Sequence, residues 1–196
     1  MKKLGICWEG MERQFEDLLA GQALRFTPLR YLEIGVCHCE TTQGAYHILK
    51  ESLGSFDFDV VAVDLEDDPE PSFVIQARKD RRITRVIGES ERFLPTISKP
   101  FHFVLIDGCH SERCATVDFL NVEKLSIVGT IVLFHDFQES AQGGDIQGHC
   151  QKPIGVRDAV KKLGLMDGTR PRWKRLSDLK GDPKLGGADC GVFQRI

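Results

Sequence analysis

Phe103-Val104-Leu105-Ile106-Asp107-Gly108-Cys109-His110 decides how this chain folds, because an unbroken apolar run ends in an acid, a glycine and a histidine. The pattern recurs downstream, where Thr130-Ile131-Val132-Leu133-Phe134 runs into His135-Asp136. It recurs upstream in Tyr31-Leu32-Glu33-Ile34-Gly35 and in Val60-Val61-Ala62-Val63-Asp64. Continuous apolar runs of this length suit strands covered on both faces, as in a parallel sheet between helices. Such sheets bind ligands in the crevice beyond the carboxyl ends of their strands. Glu33, Asp64, Asp107 and the pair His135-Asp136 are therefore expected along one edge of one sheet.

The intervening segments read as helices. Met11, Phe15, Leu18, Leu19 and Leu24 keep a helical rhythm over residues 9–25, ahead of Pro28. Thr41 to Leu53 forms the next helix, closed by Gly54. A strand at Phe58–Asp64 is followed by the acidic, proline-bearing Glu66–Pro71 segment that opens a further helix. Ile83–Ile87 makes a short strand and Glu89–Leu94 a short helix; helices over 112–125 and Ile154–Leu163 follow the strands at 101–107 and 130–134. Two more strand-like pieces, Trp173–Leu179 and Cys190–Ile196, predict a closing hairpin. Strand–helix alternation of this kind predicts an α/β fold, a Rossmann-like three-layer sandwich with right-handed crossovers. Its mostly parallel seven-stranded sheet would end in an antiparallel hairpin. Residues 1–196 are expected to form one domain, with 1–28 as an N-terminal covering helix and the Gly- and Gln-rich stretch 138–152 as a mobile substrate loop.

Composition narrows the partners. A chain of 196 residues has room for one proper core, and a net charge of -3 argues against a nucleic-acid footprint. No apolar stretch is long enough for a membrane span, and no secretory leader is visible. Seven cysteines, an odd number, suit reduced thiols and a cytoplasmic setting. Cys37-His38-Cys39 and Cys109-His110…Cys114 do not have the spacing of a structural zinc site, and buried thiols explain them better.

The first strand–loop–helix turn, Gly35-Val36-Cys37-His38-Cys39-Glu40, lacks the second and third glycines of a dinucleotide fingerprint. Gly35 would let backbone approach a ligand, although a tight turn explains it equally well. Asp64 at a strand end could hold a ribose diol or cap a helix, and Gly88-Glu89-Ser90 could meet an adenine ring. Asp107, His110, His135 and Asp136 form the strongest constellation. Two carboxylates suit Mg²⁺, an imidazole at His135 shifts preference toward Mn²⁺, and His110 is a natural base near neutral pH.

Taken in order, Tyr31-Leu32-Glu33-Ile34-Gly35…Thr41, Val63-Asp64, Gly88-Glu89-Ser90, Ile106–Ser111, Gly129–Asp136 and Gly155-Val156-Arg157-Asp158-Ala159-Val160 resemble the class I S-adenosylmethionine-dependent methyltransferases. Within that class they resemble the small-molecule O-methyltransferases that include macrolide-sugar and cephalosporin-pathway members. The resemblance covers about residues 30 to 196 and implies S-adenosylmethionine as cofactor and a small-molecule hydroxyl, on a sugar or a natural product, as acceptor. It implies Glu33, Gly35, Thr41, Asp64, Glu89, Ser90 and Asp107 as cofactor-binding residues. It further implies Asp107, His135 and Asp136 as ligands of Mg²⁺ or Mn²⁺, and His110 with Asp107 as the catalytic pair. Two positions depart from the pattern: Cys39 replaces the second loop glycine, and His135 replaces a carboxylate before the final acid. A catalytically silent binding or interaction module is therefore the competing reading, while the missing glycines count against a nicotinamide oxidoreductase. An acceptor site that is either open or completed by a homo-oligomer is expected, because the chain lacks much of the N-terminal substrate lid that larger relatives carry.

Overall fold

The computed structural model describes residues 11–54, 58–66, 71–137, 155–180 and 189–196; the expected substrate loop at 138–152 lies outside them. The strands are β1 (Leu29–Ile34), β2 (Phe58–Asp64), β3 (Ile83–Ile87), β4 (Phe101–Ile106), β5 (Ser126–Phe134), β6 (Trp173–Arg175) and β7 (Gly191–Arg195). The helices are α1 (Glu12–Ala23), α2 (Glu40–Leu53), α3 (Pro71–Lys79), α4 (Ser90–Phe93), α5 (Glu112–Lys124) and α6 (Val156–Lys162), with a 3-10 turn at Leu94–Thr96 after α4. Among the described residues the strands form one seven-stranded sheet in the order β3-β2-β1-β4-β5-β7-β6. The first five are parallel, and β7 runs antiparallel to both β5 and β6. The expected closing hairpin is therefore real, with its later strand inserted on the inner side. Its first strand is shorter than the sequence implied, and Leu179 contributes only an isolated bridge to Cys190.

Period-two alternation explains the three layers. Tyr31, Phe103, Leu105, Ile131 and Leu133 point into one apolar cluster, where α1 supplies Phe15 and Leu19, α2 supplies Tyr46 and Leu49, and α3 supplies Phe73. The alternate residues Leu32, Ile34, Val104, Ile106, Val132 and Phe134 point into a second cluster with Leu94, Phe119 and Val122 of α5, and Val160 of α6. Every residue of β4 is buried, His102 among them, which is why the strand reads as an unbroken apolar run from Phe103 to Ile106.

Register then fixes the active edge. Ile34 pairs with Val63 on one side and with Ile106 on the other, and Ile106 pairs with Phe134. The ladder continues one residue further through Gly35 N to Val63 O, Asp107 N to Ile34 O and His135 N to Ile106 O. Gly35, Asp107 and His135 consequently leave the sheet at the same level, with Asp64 paired to Ile87 beside them.

Candidate active site

The loop after β1 is built by close backbone packing. Gly35 has φ +80, and a Cβ there would stand 2.2 Å from the carbonyl oxygen of Asp107. The glycine thus lets the β1 and β4 loops touch each other, which is a tighter demand than a turn alone. Cys37 and Cys39 also adopt positive φ, at 44 and 65. Cys39, at the start of α2, turns its thiol into the first apolar cluster and is fully buried. The side chain that replaces a loop glycine is accordingly stored in the core, and burial pushes its thiol up to about 12.

Asp64 closes onto this loop. Its Oδ2 accepts hydrogen bonds from the backbone N–H groups of Val36 at 2.6 Å and Cys37 at 2.8 Å, and its Oδ1 accepts from Glu66 N at 3.1 Å. Glu33 points beneath the edge, 1% exposed, and its Oε2 accepts from the hydroxyls of Tyr31 and Thr42, both at 2.8 Å. Burial raises the Glu33 carboxyl to about 8 against the pull of those hydroxyls, so it is uncharged at neutral pH. Thr41, the expected neighbour of a cofactor, is buried in the first turn of α2 beside Thr42, which makes the contact to Glu33.

Asp107, His110, His135 and Asp136 do converge. The Nε2 of His110 lies 3.0 Å from Asp136 Oδ2 and 3.6 Å from Asp107 Oδ1. The Nδ1 of His135 lies 2.8 Å from Asp107 Oδ1 and 3.5 Å from Asp136 Oδ1. Burial pushes Asp107 up, but His135 and His110 outweigh it and hold the carboxyl below its ordinary range. Burial likewise pushes His110 down, and Asp107 and Asp136 more than reverse this, leaving its pKa raised. Asp136 itself sits at φ 51, a left-handed conformation that acids tolerate better than most residues.

Three donors here could hold a cation: one atom each from Asp107, His110 and Asp136, all within 4.8 Å of one another. That set differs in one member from the expected Asp107, His135 and Asp136. His135, 5% exposed, is committed to Asp107 from the buried side, whereas His110 completes the more open group. Hard oxygens plus one imidazole fit a six-coordinate Mn²⁺ or Mg²⁺ that keeps water or substrate in its remaining positions.

The turn carrying His110 is fixed from two sides. Ser111 caps α5 by accepting a hydrogen bond from Cys114 N, and Gly155 N donates to the His110 carbonyl at 2.8 Å. A Cβ at Gly155 would stand 2.7 Å from Glu112 N, so the Gly155-Val156 pair is what allows α6 to dock there. Glu89 precedes α4 and pairs with Arg92 on the surface, while Ser90 Oγ donates to Asp118 Oδ1 at 2.5 Å. Asp118 escaped the sequence reading; its signal was a lone acid among Ala115, Phe119 and Val122 on the buried face of α5. Two surface concavities, one bounded by Gln14, Leu18 and Asp178 and the other by Glu123, Arg172 and Trp173, include no residue of this edge. Among the described residues no helix is long and apolar enough to cross a membrane.

A family model described as a methyltransferase domain matches residues 32–137. No curated protein matches the sequence. The fold is similar to that of the O-methyltransferase TomG from Streptomyces achromogenes, solved with S-adenosylmethionine, at 20% identity and TM-score 0.62, covering 93% of this chain and 79% of that one. It is similar to an O-methyltransferase from Bacillus cereus in complex with S-adenosylhomocysteine, at 17% identity and TM-score 0.64, covering 94% and 80%. It is also similar to the O-methyltransferase NovP, at 14% identity and TM-score 0.67, with the same 94% and 80% coverage.

Proposed function

Since the chain belongs to the methyltransferase-domain family, we propose that it transfers a methyl group from S-adenosylmethionine to a hydroxyl of a small molecule, a sugar or a natural product. The observation that carries the reading is the convergence of Asp107 and Asp136 on one imidazole, His110, at the carboxyl edge of the sheet. The similar O-methyltransferase folds, two of them solved with the methyl donor or its product, support the choice of acceptor and donor.

The edge fits such a donor. Asp64, at the end of β2 and half-buried, offers a carboxylate to a ribose diol, and its present amide partners lie in the loop that would have to accommodate the ligand. Glu33, uncharged and held by Tyr31 and Thr42, stiffens the base of that loop. When bound, the donor supplies an electrophilic sulfonium methyl. The proton of the acceptor hydroxyl passes to the Asp136–His110 pair as its oxygen forms the new bond to carbon and the carbon–sulfur bond breaks. The proton then rests on an imidazolium that Asp136 and Asp107 stabilise. Holding the two reactants in line accounts for most of the acceleration in such a transfer, and a positioned base adds typically ~10²–10⁴-fold.

A divalent cation and an imidazolium proton are alternative means of neutralising Asp107 and Asp136. Asp107, His110 and Asp136 would hold the cation, and it would act there as a Lewis acid on the acceptor oxygen. Calorimetric titration with S-adenosylhomocysteine, with Mg²⁺ and then with a chelator, tests the proposal. Micromolar binding supports it, and a response to chelator assigns the cation. The absence of binding in both conditions would favour a silent member of the family, a reading to which the closure of Asp64 on Val36 and Cys37 lends weight.

A further inference from the structure

Cys109 and Cys114 stand on either side of the His110-Ser111 turn, and the chemistry above uses neither thiol. Read from the sequence as buried thiols, both are in fact half-buried, and neither is in a disulfide. The Cys109 thiol donates to Ser111 Oγ at 3.3 Å, and the same oxygen accepts from Cys114 N at 3.2 Å. One hydroxyl therefore joins the side chain of one cysteine to the backbone of the other. The two thiols are themselves hydrogen-bonded neighbours: burial raises Cys114, the Ser111 hydroxyl lowers it, and the Cys109 thiol raises it again. Cys114 is the third residue of α5, so the pair clasps the start of that helix. A sulfur–sulfur bond of about 2.05 Å is far shorter than any contact between two thiols, so closing one would draw the ends of the turn together. The turn cannot yield freely, because Gly155 N holds the His110 carbonyl at 2.8 Å. The contraction falls on the His110 imidazole, whose Nε2 lies 3.0 Å from Asp136 Oδ2.

We propose that Cys109 and Cys114 form a redox-reactive dithiol, closed to a disulfide by small-molecule disulfides such as oxidised glutathione. Its closure draws His110 off Asp136 and puts the active edge in a slow state. One protein thiolate attacks the reagent, forming a mixed disulfide and expelling one molecule of reduced thiol. The second protein sulfur then attacks the first, forming the Cys109–Cys114 bond and expelling the other half of the reagent. The two cysteines lose two electrons and two protons, and the two sulfurs of the reagent gain them. An excess of reduced thiol runs both steps backwards. Exposed disulfides have the more oxidising potentials and are the labile, regulatory ones, and this pair is partly exposed. The dithiol stands apart from the methyl-transfer reading, while its effect on turnover rests on that reading.

The test equilibrates the full chain with oxidised and then with reduced glutathione, and digests each sample with trypsin. Arg113 lies between the two cysteines, so the oxidised protein should yield two peptides joined through Cys109 and Cys114, separated again on reduction. In the oxidised protein the nuclear magnetic resonance signals of the His110 imidazole should shift. Methyl transfer should fall roughly 10²-fold, the scale of a misplacement of about 1 Å, and reduced glutathione should restore both. Cys109→Ser and Cys114→Ser should each keep the rate of the reduced, unsubstituted protein and lose the response to oxidised glutathione. Absence of the joined peptides from the folded, oxidised protein overturns the inference, as does a linkage that leaves both His110 signals and turnover unchanged. A response that survives in the serine variants also overturns it, since another thiol would then carry the effect. If the reduced protein transfers no methyl group, the methyl-transfer reading fails, and the joined peptides and the His110 signals alone decide this inference.

Discussion

His110 Nε2 lies 3.0 Å from Asp136 Oδ2, although the two residues come from different strand ends and one of them holds a left-handed backbone conformation. A carboxylate only accepts, so Nε2 directs its N–H toward Asp136, and the charged form of the imidazole is already paired. The contact also means that proton and cation compete for one place.

Replacing His110 with alanine should lower turnover by about 10²–10⁴-fold while leaving the affinity for S-adenosylhomocysteine within about threefold. Single-turnover methylation and calorimetry on the same preparation measure both. A variant that keeps full turnover on a good acceptor would remove His110 from the mechanism.

Cation binding should depend on the open donor set. Mn²⁺ titration followed by electron paramagnetic resonance should show binding lost in Asp107→Asn, Asp136→Asn and His110→Ala, with a chelator removing the signal from the unsubstituted protein. Retention of the site in His110→Ala would return the third position to His135.

Glu33 gives stability a pH slope of predictable sign. An acid raised from 4.5 to about 8 on folding keeps its proton in the native state over a window in which the unfolded chain loses it. Stability from this group is therefore complete below about 4.5, declines as pH rises toward 8, and levels off above that value. Glu33→Gln, which cannot ionise, should flatten that decline in urea titrations run from pH 5 to pH 8. An unchanged slope would show that Glu33 is already ionised in the folded protein.

Two glycine substitutions should act in opposite directions. Gly35→Ala places a Cβ 2.2 Å from the Asp107 carbonyl oxygen at a positive φ, and should cost at least about 3 kcal/mol. Gly21→Ala, in α1 with nothing within 4 Å of the new Cβ, should add about 0.5–1 kcal/mol. Chemical denaturation of the pair reads both signs.

Thiol labelling should follow burial. The exposed Cys37 should react first with a maleimide, while Cys39 and Cys190, both fully buried, should react only on unfolding. Prompt labelling of Cys39 would place its side chain in the donor loop.

The sheet and its acidic edge were legible in the sequence because buried parallel strands write themselves as apolar runs, and register carries the next residue of each run to one level. Glu33 illustrates the limit. Its position at the edge follows from the run Tyr31–Gly35, but its direction, down toward Thr42, depends on side-chain packing that no local pattern encodes. The place of His110 in the cation group and the pairing of Ser90 with Asp118 were illegible for the same reason: each joins elements distant in the chain. Cys39 is the instructive departure. Read as an obstruction in a loop, its side chain is one more apolar group in the core.

The placement of β7 between β5 and β6 has a consequence for synthesis. Until Gly191–Arg195 leaves the ribosome, the whole length of Ile131–Phe134 is an open edge, and β6 has nothing to pair with. The nascent chain carries an adhesive border beside this apolar strand from the completion of β5 until β7 is made, so vulnerability to aggregation is concentrated in that interval.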